Sequence, residues 1–275
     1  MLILVSTPIG NLSDISKRAI DTLNNADIIA CEDTRTSSSL FSLIGVKANK
    51  LIAYHEHNAD DMCPKIISYL EKGLTVALVS DAGTPLISDP GYRLVRSCRQ
   101  KGLEVTTVPG ANAVLSALQL SGLPSDTFLF AGFLPNKQAA RKKHLNVFKS
   151  VPATLIFYET ANRLTDSLTD ILEVLGNREM AVVREITKKF EETKTDTVSN
   201  LISYYEENGQ PKGELVLVID RNSKKEEVLD LDELILKTLE SSSVKDTAEI
   251  VSKISGYSKK EIYKKTLDIK NGKKI

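Results

Sequence analysis

Two carboxyl groups, three hydroxyls, two glycines and two prolines share one twelve-residue run, Ser80-Asp81-Ala82-Gly83-Thr84-Pro85-Leu86-Ile87-Ser88-Asp89-Pro90-Gly91. Side chains of these types hydrogen-bond a polar ligand, and the missing bulk lets a ligand lie against the main chain. Taken alone, the run also reads as a rigid strand-to-helix turn. Four further stretches share its character: Ser6-Thr7-Pro8-Ile9-Gly10-Asn11, Glu32-Asp33-Thr34-Arg35, His55-Glu56-His57-Asn58 and Pro109-Gly110-Ala111-Asn112. Glu32, Asp33 and Arg35 form either an internal ion network or a substrate clamp, since the planar fork of arginine suits phosphate. His55 and His57, with Glu56 and Asp60, have the donor types of a chelate. No third histidine is near them in the sequence, so hydrogen bonding is the reading taken and no metal is expected. The Ser6–Asn11 loop lacks both GxGxxG spacing and a P-loop lysine, which argues against ATP hydrolysis and a standard dinucleotide fold.

Each stretch follows a short apolar run: Leu2–Val5, Ile28–Ala30, Leu51–Tyr54, Thr75–Val79 and Glu104–Val108. Helical sequence lies between them, at Ile15–Asn24, Ser37–Ile44, Met62–Glu71, Tyr92–Lys101 and Ala113–Ser121. Alternation of this kind with short connections predicts a parallel sheet covered by helices. The carboxyl ends of such strands are where open α/β sheets bind ligands, so a shared pocket is expected there.

This first domain is expected to span 1–124, and a second α/β domain 125–220. The second has predicted strands at Thr127–Phe130, Thr154–Tyr158, Met180–Glu185 and Glu214–Ile219, and helices at Gln138–Lys149, Ala161–Leu175 and Thr197–Asn208. Its strand content fits a mixed sheet. A helical extension, 221–275, follows with helices at Asp232–Glu240, Val244–Ser255 and Lys259–Lys270. Ser258 and Glu261 have capping-box spacing, and the Gly256-Tyr257-Ser258 turn between two short helices resembles a helix-turn-helix unit. Lys259, Lys260, Lys264, Lys265, Lys270, Lys273 and Lys274 outnumber the acids there, which suits phosphate contact as well as a solvated helix face. Lys137, Arg141, Lys142 and Lys143 form a second basic patch with the same two readings.

The whole chain has 275 residues, 36 of them basic and 36 acidic, with 41% hydrophobic and 26% charged residues. This is the composition of an ordinary globular protein. Zero net charge means that any nucleic-acid contact must come from a local patch. Cys31, Cys63 and Cys98 are odd in number without CxxC spacing, so no disulfide framework or zinc knuckle is expected. The apolar start is too short for a signal peptide and no segment nears the length of a membrane span, so a cytoplasmic protein is expected.

In these residues the chain resembles the tetrapyrrole-methylase superfamily. The resemblance runs through the five stretches above and on through Val108-Pro109-Gly110-Ala111, Phe130-Ala131-Gly132-Phe133-Leu134-Pro135, Phe157-Tyr158-Glu159-Thr160 and Arg184-Glu185-Ile186-Thr187-Lys188. Tetrapyrrole members usually carry a Gly-Asp-Pro run where this chain has Asp81-Ala82-Gly83-Thr84-Pro85, and the departure favours the branch that methylates ribosomal RNA.

The resemblance implies two α/β domains with S-adenosylmethionine folded into the cleft between them, usually in a homodimer. It implies methylation of the ribose 2′-hydroxyl of a cytidine in small-subunit ribosomal RNA, either naked or in the assembled subunit. Pro8, Ile9, Asp81, Ala82, Gly83, Ile87, Ser88, Ala111 and Asn112 match the cofactor wall of the first domain. Leu134, Tyr158 and Thr187, with the Gly213–Leu215 region that includes Glu214, match the wall of the second. Glu32, Asp33 and His55 are candidate bases, and Arg35 a candidate phosphate clamp. Lys137, Arg141, Arg163, Arg184, Lys259, Lys260 and Lys264 are the candidate RNA contacts. RNA calls for an open, basic cleft, whereas the alternative small-molecule methylase calls for a closed apolar pocket. A noncatalytic RNA-binding module leaves the cofactor-like strand ends without a purpose.

Overall fold

The computed structural model describes residues 1–221, 231–255 and 257–271. Two compact units emerge, Met1–Arg221 and Asn222–Ile275.

The first unit contains two five-stranded sheets. Strands β1 (Leu2–Val5), β2 (Ile28–Cys31), β3 (Leu51–Ala53), β4 (Val76–Leu78) and β5 (Val105–Val108) form the first. All are parallel, in the order β3-β2-β4-β1-β5. Helices α1 (Lys17–Asn25), α2 (Thr34–Ile44), α3 (Ala59–Glu71) and α4 (Tyr92–Gln100) connect them. Leu2, Leu78, Ile66 and Leu94 pack on one face, and Val5, Ala77, Leu23 and Phe41 on the other. Burial on both faces explains the continuous apolar runs, in which β2 is buried at every position.

The second sheet contains β6 (Phe128–Phe133), β7 (Thr154–Thr160), β8 (Glu179–Arg184), β9 (Glu192–Thr197) and β10 (Glu214–Ile219). Its order is β6-β7-β10-β8-β9, and only the β6–β7 pair is parallel. Strand β9 was not among the predicted strands. Its sequence Glu-Thr-Lys-Thr-Asp-Thr has no apolar residue, because it is an edge strand held by its ladder to β8. Helices α6 (Gln138–Val147), α7 (Leu164–Leu175) and α8 (Val198–Asn208) cover one face of this sheet. The opposite face is covered by α5 (Ala113–Ser121), the helix that leaves the first sheet after β5. Side chains alternate across each strand, so Phe157 and Leu217 meet α6–α8 while Ile156 and Val216 meet α5. Helix α5 is thereby a shared wall: it begins beside the first sheet's strand ends and buries Val114, Ala117 and Leu118 against the second sheet.

The second unit contains α9 (Leu231–Leu239), α10 (Val244–Ser255) and α11 (Lys259–Lys270), packed around Ile235, Ala248, Val251 and Ile262. The expected capping box is formed: Ser258 Oγ accepts the Glu261 N–H, and Glu261 accepts the Ser258 N–H. Lys273 and Lys274 of the basic run lie outside the described residues. No helix among the described residues is long and apolar enough to cross a membrane.

Candidate active site

Three adjacent strands, β4-β1-β5, bring their carboxyl-end loops together, and one threonine joins them. Thr84 Oγ1 donates to the Ala111 carbonyl at 3.0 Å and accepts from Asn112 Nδ2 at 3.2 Å and Ser6 Oγ at 3.4 Å. A two-residue bridge adds to the junction, with the Thr7 N–H donating to the Gly83 carbonyl at 2.9 Å and the Gly83 N–H to the Thr7 carbonyl at 3.1 Å. Gly83 has a φ of +79°, and a Cβ there would lie 3.2 Å from Ile9 Cγ2. Asn112 caps α5 through the Leu115 N–H.

Facing these loops are the ends of β7 and β10 and the turn after β8. Between the two sets lies a cavity of about 380 Å³. Its walls include Ile9, Ile87, Ile186 and Val216, together with the acidic residues Asp81, Asp89, Glu159 and Glu214; the Glu159 side chain itself is buried toward α7. The non-glycine residues with positive φ among the described residues are Leu86 (73°), Ser88 (65°), Glu185 (48°) and Thr187 (65°). All four lie in the two loops that face each other here. Strain of this kind persists only where the surroundings over-determine it, and it gathers at ligand sites. The second-sheet turn is held by Glu185 Oε1, which accepts from the Glu214 N–H at 3.0 Å and from Lys188 Nζ at 3.0 Å.

Of the expected cofactor-wall residues, Ile9, Asp81, Ala82, Gly83, Ile87, Ser88, Asn112, Tyr158 and Glu214 line the cavity. Pro8 is buried. Ala111 contributes its carbonyl to the Thr84 junction. Leu134 is 1% exposed, with its side chain in the core of the second sheet rather than in the cavity. Thr187 stands beside the lining residue Ile186, and its buried hydroxyl has no partner among the described residues. Sequence reasoning passed over Asp89, Phe133, Glu159, Thr160 and Ile186 as site residues, although all line the cavity. The signal for Glu159 was a carboxylate ending the apolar run Leu155-Ile156-Phe157-Tyr158, on a strand that is otherwise core.

The Glu32–Arg35 stretch follows β2, on the far side of β4 from β1, and none of its residues lines the cavity. Asp33 caps α2, accepting the Arg35 N–H at 2.8 Å, and pairs with the Arg35 guanidinium at 2.7 Å. These bonds hold Asp33 well below the usual carboxylate range, at about 2. The Arg35 side chain is 89% exposed. Glu32 is raised by burial and by Asp81. His55 follows β3, further out still; its Nδ1 is buried without a partner among the described residues. Burial, Asp89 and Glu214 push the Tyr158 phenol up to about 12, and its ring packs against Phe130 and Phe133.

The cations do not make the cavity basic: among the described residues its lining includes four acidic residues and no lysine or arginine. Two cations, Arg163 and Lys188, pair with lining residues. Arg163 is held by Glu159, which is itself fully buried. Lys188 lies across Gly10 and pairs with Glu214 at 2.8 Å. Arg184 pairs with Glu192 across the β8–β9 ladder at 3.2 Å. Arg141 is a correction. It is buried rather than a surface contact, with its Nε 2.6 Å from the buried Asp170, because the α6–α7 interface encloses the pair. Lys137 is exposed at the start of α6. On α11, Lys259 pairs with Glu249 at 2.7 Å, and Lys260 and Lys264 are exposed.

The profile of a family described as Tetrapyrrole (Corrin/Porphyrin) Methylases matches residues 1–202, and the chain belongs to that family. It is 47% identical over 272 residues to "Ribosomal RNA small subunit methyltransferase I" of Mesorhizobium japonicum, covering 98% of this chain and 92% of that protein. The protein of the same name from Escherichia coli O157:H7 is 42% identical, over 97% of this chain and 94% of its own length. Among solved structures, uroporphyrin-III C-methyl transferase from Thermus thermophilus, complexed with S-adenyl homocysteine, has a TM-score of 0.54 at 17% identity, over 80% of this chain and 96% of that one.

Proposed function

We propose that this chain transfers a methyl group from S-adenosylmethionine to the ribose 2′-hydroxyl of a cytidine in small-subunit ribosomal RNA, as a cytoplasmic homodimer. The observation that carries the reading is similarity above 40% running almost end to end with proteins named for ribosomal RNA methylation. The corrin and porphyrin enzymes share the fold at under 20% identity.

The cleft fits the cofactor. Gly83 leaves a cradle that a side chain would fill, Thr187 keeps a hydroxyl without a partner among the described residues, and the carboxyl groups suit the positive sulfur and ammonium of this molecule. Ile9, Ala82, Gly83, Ile87 and Ser88 from the first lobe, with Tyr158, Ile186 and Glu214 from the second, would hold it. When bound, S-adenosylmethionine supplies an electrophilic methyl group on a sulfur that leaves as a neutral thioether. The work of the chain is then alignment of the attacking oxygen and removal of its proton, with alignment supplying the larger share. A carboxyl-lined cavity reserves the cleft for the cationic donor. The RNA backbone falls to cations outside it: Lys137, Arg163 and Arg184, and on the second unit Lys259, Lys260 and Lys264. Regular duplex holds a ribose hydroxyl poorly for such alignment, so the target lies in a single-stranded or distorted segment.

The test is transfer of labelled methyl from S-adenosylmethionine to purified small subunits, naked rRNA and a tetrapyrrole precursor in parallel. Label in a ribose of the RNA is the expected result; label in the tetrapyrrole alone overturns the substrate. Gly83→Val tests the cleft. A side chain held at φ +79° costs about 1–2 kcal/mol. The added methyls also crowd Ile9. Cofactor affinity measured by calorimetry is expected to fall roughly tenfold or more, a loss of about 1.4 kcal/mol. Unchanged affinity would place the cofactor elsewhere.

A further inference from the structure

Methyl transfer to a hydroxyl leaves one proton to be placed, and four carboxyl-bearing residues line the cavity. Three are engaged by donors. Glu159 accepts from the Thr160 N–H, from Arg163 Nε and Nη2, and from Ser167 Oγ at 2.5 Å. Glu214 accepts from Lys188 Nζ, and its side chain is 85% exposed. Asp81 accepts the Asp33 N–H at 3.2 Å, tying the β2 loop to the β4 loop. Asp89 stands apart from them. It is half-buried near the end of the strained loop, between Leu86 and Ser88 on one side and the N-cap Gly91 on the other. The titratable groups that face it are Glu32 after β2, Asp81 after β4 and Tyr158 from β7.

We propose that Asp89 is the general base of the reaction, taking the proton from the attacking hydroxyl at the mouth of the β4 loop. The assignment rests on the proposed transfer to a ribose hydroxyl. As the 2′-oxygen forms its bond to the methyl carbon, the S–CH3 bond breaks and sulfur keeps that electron pair as a neutral thioether. The hydroxyl proton passes to the Asp89 carboxylate and from there to water. Burial pushes Asp89 up to about 6, with Glu32 and then Asp81 adding to the rise and Ser80 opposing it. A base is most effective when its pKa lies near the working pH. Glu32 therefore acts through Asp89, as a positioning residue that keeps it basic, although Glu32 does not line the cavity.

The test combines two readouts: the pH dependence of methyl transfer, and a carbon-13 carboxyl titration of the aspartates by NMR in protein without cofactor or RNA. Asp89→Asn is expected to remove an aspartate signal titrating near 6 and to lower kcat by about 10²–10⁴-fold. Glu32→Gln removes a negative neighbour, so both that titration and the acid limb of the rate profile are expected to move to lower pH. Should Asp89→Asn fail to fold, the Glu32→Gln shift decides alone. Wild-type protein that methylates ribose while Asp89→Asn stays within about threefold of it overturns the role of Asp89 only, as does an acid limb unmoved by Glu32→Gln. Wild-type protein that labels no RNA overturns the substrate reading, and the base assignment with it.

Discussion

Replacing Asp170 by alanine is expected to destabilise the first unit by about 3–5 kcal/mol. Asp170 is fully buried and takes Arg141 Nε at 2.6 Å and Gln138 Nε2 at 3.1 Å. Without it the Arg141 guanidinium stays enclosed between α6 and α7, where among the described residues the Pro135 and Asn136 carbonyls at 3.4 and 3.3 Å are left to accept from it. A buried charge without its counter-charge is costly, whereas removal of both charges together is often nearly neutral. Urea unfolding of Asp170→Ala should therefore show a large fall in midpoint. The double variant Arg141→Met with Asp170→Leu should recover most of it. A single variant within about 1 kcal/mol of wild type would mean that the pair reaches water, because surface ion pairs contribute no more than that.

Glu159→Ala applies the same physics at the cleft, with a second consequence. The carboxylate is buried and accepts from Arg163, Ser167 and the Thr160 N–H. The expected loss is about 3 kcal/mol, toward the lower end for a broken buried pair, since Arg163 is 21% exposed and regains some water. Unlike Asp170, Glu159 holds groups at the cavity wall: Thr160 lines it, and Arg163 takes its orientation from this one carboxylate. Assayed well below both melting temperatures, Glu159→Ala should lose roughly tenfold or more in kcat/KM for RNA, about 1.4 kcal/mol of transition-state stabilisation. Asp170→Ala should stay within about threefold under the same conditions. Equal losses in the two variants would reduce Glu159 to a purely structural role.

Much of this molecule was legible before any fold was drawn, because its signals are local. The runs Leu2–Val5 and Ile28–Ala30 mark strands buried on both faces, and Ser258 with Glu261 marks a helix start from four residues alone. The polar and glycine-rich strand ends announced a pocket, and most of the residues expected on the cofactor wall line the cavity. Strand β9 was not legible, since an edge strand of Glu, Thr, Lys and Asp owes its conformation to the β8 ladder rather than to its own side chains. Arg141 looked like its neighbours Lys142 and Lys143, and only the packing of α7 revealed the buried Asp170 opposite it.

Composition and local pattern thus determined which residues end strands, where helices begin and which loops are built to bind. Strand order was decided in three dimensions. The order β3-β2-β4-β1-β5 places the loops after β4, β1 and β5 side by side and leaves Glu32–Arg35 and His55 on the far side of β4, although all five loops look alike in sequence. It also sets Glu32 behind Asp89, 57 positions along the chain, close enough for one charge to act on the other. Such a pairing depends on which strands become neighbours, a long-range choice made by the packing of the whole sheet.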